Sequence, residues 1–417
     1  DPGRAAVDSA GGKGDPVLRA ALRTLTTSMN PLRVGLVHPF SWPEVRRGGE
    51  RYLADLEWYL AQAGHHVEVI TGTGRRSERS VGGRTTYHRL HHLRSNRLAG
   101  RGYGEAETFG LRAFPTLVRR RRFDAVHAFT PTAAVAARLA GHRTLYTILG
   151  HASTDLVTTL PRESKLIRAA VRRATLVAAL SAASAGAAEQ AFGRSAEVLP
   201  PGVMLDRFPV RPEPRIGPAR VLFPAFASNP QKGLGTLVEA FTSLLERKPD
   251  ARLVLAGPGD HEWAFARLGE RATRARASTD ILGVGDVADL PARYAASTVT
   301  ALPSTNEAFG LILLESLACG TPVVSGADGG MPEIVDRPDV GRTIPFGDAP
   351  ALARALEQTI ALAADPDTPA RCREHARRWG WKERVGPMHE EIYRRLADAG
   401  RRESQPPEPS RNGRASR

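Results

Sequence analysis

Leu32-Arg-Val-Gly-Leu-Val37 and Val67-Glu-Val-Ile70 are two short apolar runs, and what lies between them decides the fold. A loop carrying Gly48-Gly49 comes first. Arg51 to Ala63 then places Leu53, Leu56, Leu60 and Ala63 at helical spacing, and Gly64 stops it. Strand, helix and strand joined this closely predict a right-handed parallel unit, the building block of a doubly wound α/β sheet.

The alternation continues outward. Strands are predicted at Phe123–Phe129, Thr144–Ile148, Leu176–Ser181 and Glu197–Leu199, with an alanine-rich helix at Ala133–Ala140. A proline-dense stretch follows, and a second series starts at Val221-Leu-Phe223. It predicts helices at Gly235–Arg247, from Glu262 to Arg276, from Gly310 onward and at Ala351–Ala364, with strands at Arg252–Ala256, Thr298–Leu302 and Pro322–Ser325. At 417 residues the chain exceeds what one core usually serves. The reading is two Rossmann-like domains, 31–200 and 215–384, joined by a linker over 201–214. A helix over 385–400 is free to pack back on the first domain. Residues 1–30, rich in Gly, Ala and Ser, and the tail 401–417 are expected to be disordered. Two such sheets facing across a cleft offer two sets of strand C-terminal ends, where ligands bind.

Composition narrows the class. Two cysteines, Cys319 and Cys372, support neither a disulfide framework nor a zinc site, which fits a cytoplasmic setting. No apolar run is long enough to cross a bilayer. The net charge of +14 is concentrated: thirteen arginines against three glutamates lie between Arg75 and Arg122. An anionic membrane surface, on the inner face, is one partner such a segment would meet; a solvated arginine-rich face is the plainer alternative. Nucleic acid is not expected, since no aromatic residues interleave as in a base-stacking module. His88, His91 and His92 have metal-like spacing without a neighbouring acid or cysteine in sequence, and are read as part of the basic segment. No metal site is expected.

Chemistry concentrates in Ser304-Thr-Asn-Glu307-Ala-Phe-Gly310-Leu-Ile-Leu-Leu-Glu315. A strand ends at Pro303 and a helix begins near Gly310, so unpaired N–H groups and the helix dipole would face a diphosphate. Gly310 permits close approach of phosphate to backbone. Glu307 could accept hydrogen bonds from sugar hydroxyls, and Glu315, two turns on, from a ribose diol. Either glutamate alone would read as an ordinary surface residue. Lys232, one of only five lysines, occupies a Lys-Gly turn after the second domain's first strand.

The segment from Glu307 to Glu315 resembles the E-x7-E motif of retaining GT-B glycosyltransferases of family 4. Gly48-Gly49, Gly64-His65-His66-Val67-Glu-Val-Ile70, Ser181, Pro201-Gly-Val-Met-Leu-Asp-Arg-Phe208, Gln231-Lys232-Gly233, Gly320-Thr-Pro-Val-Val-Ser325 and Gly329-Gly-Met-Pro-Glu-Ile-Val335 are similar to that family's other signatures, in order. The resemblance covers nearly the whole span from Arg33 to about Leu396. It implies the GT-B fold and a nucleotide-diphosphate sugar as donor. Glu307 would contact the donor sugar and Glu315 the ribose. The amides of Phe309, Gly310 and Leu311 and the Gly48-Gly49 loop would hold the diphosphate, with Lys232 neutralising its charge. Val284, in Leu282-Gly-Val-Gly285, would line the nucleobase pocket, and His151 would lie near the reacting carbon. The implied reaction is a retaining, metal-independent transfer of a hexose-type sugar without a cofactor. Its acceptor is unidentified and could be anionic or lipid-linked.

One departure matters. The family's arginine a few residues before the lysine is missing: Val221 to Pro230 contains none, with Ala225 or Phe226 at its place. A catalytically silent GT-B-like binding protein at a membrane therefore stays open as an alternative. So does a nucleotide-sugar epimerase of the same fold.

Overall fold

β1 (Arg33–Val37) is buried at every position but its first, as a central parallel strand covered on both faces must be. It lies between β2 (His66–Thr73), with Val34 opposite Val67, and β5 (Ala125–Ala128), with Leu36 opposite His127. The computed structural model describes residues 30–73, 77–91, 104–120, 123–151, 160–210, 217–283, 285 and 289–404. Outside them lie the expected N-terminal extension up to residue 29, most of the tail, linker residues 211–214, His92, Val284 and part of the arginine-rich segment.

The remaining strands of the first sheet are β3 (Glu78–Gly82), β4 (Thr85–His91), β6 (Thr144–Ile148), β7 (Leu176–Ala179) and β8 (Glu197–Val198). Their order is β3-β4-β2-β1-β5-β6-β7-β8, parallel except for the β3–β4 hairpin. The second sheet holds β9 (Arg220–Phe223), β10 (Arg252–Leu255), β11 (Thr279–Ile281), β12 (Val299–Leu302), β13 (Val323–Gly326) and β14 (Gly341–Ile344). Its order is β11-β10-β9-β12-β13-β14, all parallel. In each sheet the chain builds outward on one side, then returns to the first strand's other side. The switch points lie between β1 and β5 and between β9 and β12, the places where doubly wound sheets bind ligands.

Several elements depart from the expectation. β3, β4 and the helix Glu105–Arg119 form inside the arginine-rich segment, where no element was predicted. The helix Pro161–Arg173 was also missed; its buried stripe of Ser164, Ile167, Ala170 and Val171 is short, with only two large apolar side chains. The single helix expected from Glu262 to Arg276 is two short helices, Glu262–Ala266 and Thr273–Ala277, separated by a 3-10 turn at Gly269–Ala272. Gly269 has a positive φ of 56°, which a continuous helix cannot contain. His88 has an acid in space that its sequence neighbours do not supply: its Nε2 lies 2.7 Å from Glu68 on the adjacent strand.

Several contacts tie the two halves together. The C-terminal helix Gly386–Ser404 reaches the first sheet, where the ring of His127 lies 2.7 Å from the Tyr393 hydroxyl and His389 lies 2.6 Å from that of Tyr52. Val203, early in the linker, pairs with the chain at Gly380, its N–H donating to the Trp379 carbonyl at 2.9 Å. Glu333 of the second half accepts from the N–H groups of Ala182 and Ala183, the first turn of a first-half helix, at 3.1 and 2.9 Å. A carboxylate there meets the positive end of the helix dipole.

Candidate active site

The loop from β12 into the helix Leu311–Ala318 is fixed before any ligand arrives. Asp328 accepts from the Asn306 N–H at 3.2 Å and from the Thr305 hydroxyl, holding Asn306 at a φ of 57°. Gly310 then enters the helix at φ 112°, a left-handed geometry in which a Cβ would also press on Leu313 at 3.2 Å. The first N–H groups of this eight-residue helix are thus bared toward the cleft.

Lys232 arrives from the other strand at the switch point. It ends a 3-10 turn, Pro230–Lys232, and Gly233 follows at φ 77°. A Cβ on Gly233 would stand 2.1 Å from the Pro303 carbonyl, so the turn packs against the end of β12 only as glycine. This places the Lys232 ammonium on Oε1 of Glu307, which also accepts from the Ser304 hydroxyl at 2.9 Å. Both charged side chains stay partly open, 25% and 19% exposed, so the pair can meet a ligand.

Gly48, Gly49, His151, Glu307, Phe309, Gly310 and Leu311 all line one cavity of about 200 Å³ between the halves. Phe309 is buried, and its ring packs edge-on to Trp379. Gly48 faces Leu311 across the cleft, and its missing Cβ would lie 3.8 Å from that side chain. His151 Nδ1 lies 3.2 Å from the Ser184 hydroxyl, and Ser184 donates its one proton to the Ala308 carbonyl at 3.1 Å. Ser184 can therefore only accept from His151, so Nδ1 carries the ring proton of the neutral imidazole and Nε2 keeps its lone pair.

Glu315 sits apart from this cavity. It is 7% exposed, accepts from the Tyr294 hydroxyl at 2.9 Å, and stands 3.7 Å from the Arg51 guanidinium of the first half. Burial pushes its carboxyl above the usual range, against the opposing pull of Arg51 and Tyr294. The carboxylate that the resemblance assigns to the ribose is here closed over by Arg51, itself held by Asp55 at 3.1 Å. Val284 lies outside the described residues. Its neighbour Gly285 accepts from Arg46 of the first half at 3.2 Å.

No arginine replaces the missing one among the described residues hydrogen-bonded to Lys232, Glu307 or the Ser304–Gly310 loop. At its place Ala225 is buried and Phe226 is half exposed. Ser184, Glu333 and Arg51 were not found from sequence. Each acts across the interface between the halves, so no local pattern marks it.

Two facing doubly wound sheets with a ligand cleft between their switch points define the GT-B architecture. Sucrose-phosphate synthase from Thermosynechococcus elongatus shares it, with a TM-score of 0.72 at 20% identity over 88% of this chain and 100% of that one. The family described as Glycosyltransferase Family 4 matches residues 46–207, and that described as Glycosyl transferases group 1 matches residues 217–379. A GDP-mannose-dependent alpha-(1-6)-phosphatidylinositol monomannoside mannosyltransferase of Mycobacterium tuberculosis is 31% identical over 296 residues, 64% of this chain and 75% of that protein. A D-inositol 3-phosphate glycosyltransferase of Saccharomonospora viridis is 35% identical over 231 residues, 48% of this chain; the match spans only half that relative's length. The chain belongs to glycosyltransferase family 4.

Proposed function

We propose that this chain transfers a hexose-type sugar from a nucleoside-diphosphate sugar to a hydroxyl acceptor, with retention at the anomeric carbon and without a metal ion. The observation that carries the reading is the Lys232–Glu307 pair beside the bared N-terminus of Leu311–Ala318, at the second sheet's switch point. The bond from the anomeric carbon to the diphosphate breaks, and charge grows on the departing phosphate oxygen. Lys232 and the helix N–H groups stand where that charge develops. Glu307 accepts from a sugar hydroxyl, fixing the ring. The acceptor oxygen attacks from the face the diphosphate leaves, and its proton passes to a donor phosphate oxygen.

GDP-mannose is the first donor to test, because the tuberculosis relative is named as dependent on it. The relatives' names also point to an inositol-type, lipid-linked acceptor. A cytoplasmic, peripheral position on an anionic membrane belongs to the same reading and is supported by the arginine-rich segment. No helix among the described residues is long and apolar enough to cross a membrane.

Lys232→Ala and Glu307→Ala are each expected to lower the transfer rate by about 10²- to 10³-fold, the usual cost of one preorganised charge-stabilising group. Undiminished transfer in both would sink the reading. A silent binding protein is the second reading, favoured by the missing arginine before Lys232. Donor binding by calorimetry with no release of nucleoside diphosphate would decide for it.

A further inference from the structure

A cavity of about 430 Å³, about twice the volume of the donor cavity, lies where the chain crosses between the halves. That size is within the range of small-molecule sites. Leu180, Val198 and Pro200 of the first half form one wall. Phe309 and Trp379 form the other, with Val385 and Met388 of the chain's return to the first sheet. Leu180 and Phe309 also line the donor cavity, so the two cavities share a partition.

Four charged side chains border it, and three are already engaged. Glu333 accepts from the N–H groups of Ala182 and Ala183. Asp336 accepts from Arg378 at 2.8 Å and lies 3.4 Å from His375. Arg384 is exposed, and among the described residues its guanidinium has no hydrogen-bond, ion-pair or ring partner. The apolar walls narrow the choice further. Trp379 is 9% exposed, with its ring under the Arg378 guanidinium at 4.8 Å and edge-on to Phe309, so it offers the cavity an edge more than a face. Val198, on the edge strand β8, is 41% exposed. Met388 is unbranched and adapts to what it touches. Such walls suit a flexible aliphatic chain better than a flat ring, which needs a face to stack on. The unpaired arginine calls for one anionic head.

We infer that this cavity is a second ligand site, for a free medium-chain acyl carboxylate, and that its occupant acts on the donor cleft. The chain lies between Val198 and Met388, and the carboxylate meets Arg384. An esterified lipid tail has no charge to give that arginine. Both halves supply walls, so the cavity keeps its shape only while they hold the relation in which Gly48 faces Leu311 across the donor cleft. A chain seated there favours that relation, and donor binding with it. The site stands by itself; its action on the cleft rests on the transferase reading.

The test is calorimetry on the full chain, with octanoate, its methyl ester and GDP as probes. Octanoate should bind about threefold or more tighter than methyl octanoate, the modest preference that one exposed ion pair gives. Arg384→Gln should bring the two within about twofold. Val198→Trp fills the cavity from an exposed position, and should weaken octanoate about tenfold or more without lowering the melting temperature. Saturating octanoate should tighten GDP binding about fivefold or more, and GDP should tighten octanoate by the same factor. Equal affinity for acid and ester overturns the site. So does a preference unchanged in Arg384→Gln, affinity unchanged in Val198→Trp, or no binding of octanoate. Octanoate that binds yet leaves GDP affinity unchanged, or lowers it, overturns the action on the cleft. GDP that does not bind at all sinks the donor reading and that action together, while the site is still decided by octanoate and its ester.

Discussion

Ser184 shows how one hydroxyl can set the state of a neighbour. Its proton goes to Ala308, 124 residues away in the chain, and its oxygen then fixes which nitrogen of His151 is free. Ser181, not Ser184, caps the helix Ala182–Phe192, so Ser184→Ala removes the orienting bond without removing the cap. On the proposed transferase reading, Ser184 acts as a positioning residue for His151. The variant should lower kcat roughly 10- to 100-fold, as a misplaced group near the chemistry does, while the donor KM stays within about twofold. A change in KM alone would show that Ser184 serves the packing of the cleft. The places of Glu307, Gly310 and Lys232 were legible because they follow from a strand end, a helix start and a Lys-Gly turn, all local in sequence. Ser184 was not, since its partners come from two other segments that only folding brings near.

At the scale of elements, apolar runs and helical spacing located β1, β2 and the helix between them because both faces of the sheet are buried there. The same signal fails for β4, which faces a cluster of charge. Glu68 on β2 is ringed by His88 at 2.7 Å, Arg33 at 3.2 Å and Arg120 at 3.6 Å. Burial pushes its carboxyl up, but the hydrogen bond from His88 and the charges of Arg120, His88 and Arg33 together hold it below its ordinary value. His88 and Arg120 of what looked like a featureless basic stretch therefore hold an edge of the first sheet through one glutamate. Glu68→Gln should cost about 2 kcal/mol, in the range for hydrogen bonds to charged groups, read as a lower denaturant midpoint at unchanged slope. Because the folded carboxyl is depressed, wild type should lose this margin only as pH falls below the ordinary carboxyl range. The variant should not. Equal stability of the two proteins at pH 7 would mean the arginines are as well satisfied by water.

For the whole molecule, the docking of the C-terminal helix on the first sheet is a neutral-histidine interface. His389 donates from Nδ1 to the Val385 carbonyl at 2.7 Å, so its Nε2 must accept the Tyr52 hydroxyl. A proton on Nε2 would set two donors against each other. Burial lowers the His389 pKa to about 4, and that of His127 falls well below the ordinary value through burial and then the nearby His389. The sign follows from linkage. A histidine whose folded pKa lies below its unfolded 6.5 contributes its full stability above pH 6.5, and loses it as pH falls toward 4. The loss approaches about 1.4 kcal/mol per pH unit for each such group. His38, buried at the end of β1 and also lowered to about 4, adds to the same window. The melting temperature should therefore fall steeply between pH 6.5 and 4. His389→Leu is expected to start about 1–3 kcal/mol less stable at pH 7, because the buried Tyr52 hydroxyl is left without its acceptor. Its curve should then be shallower by one histidine's share. Parallel curves for the two proteins would show that His389 titrates without loosening the helix, and that acid opens the molecule elsewhere.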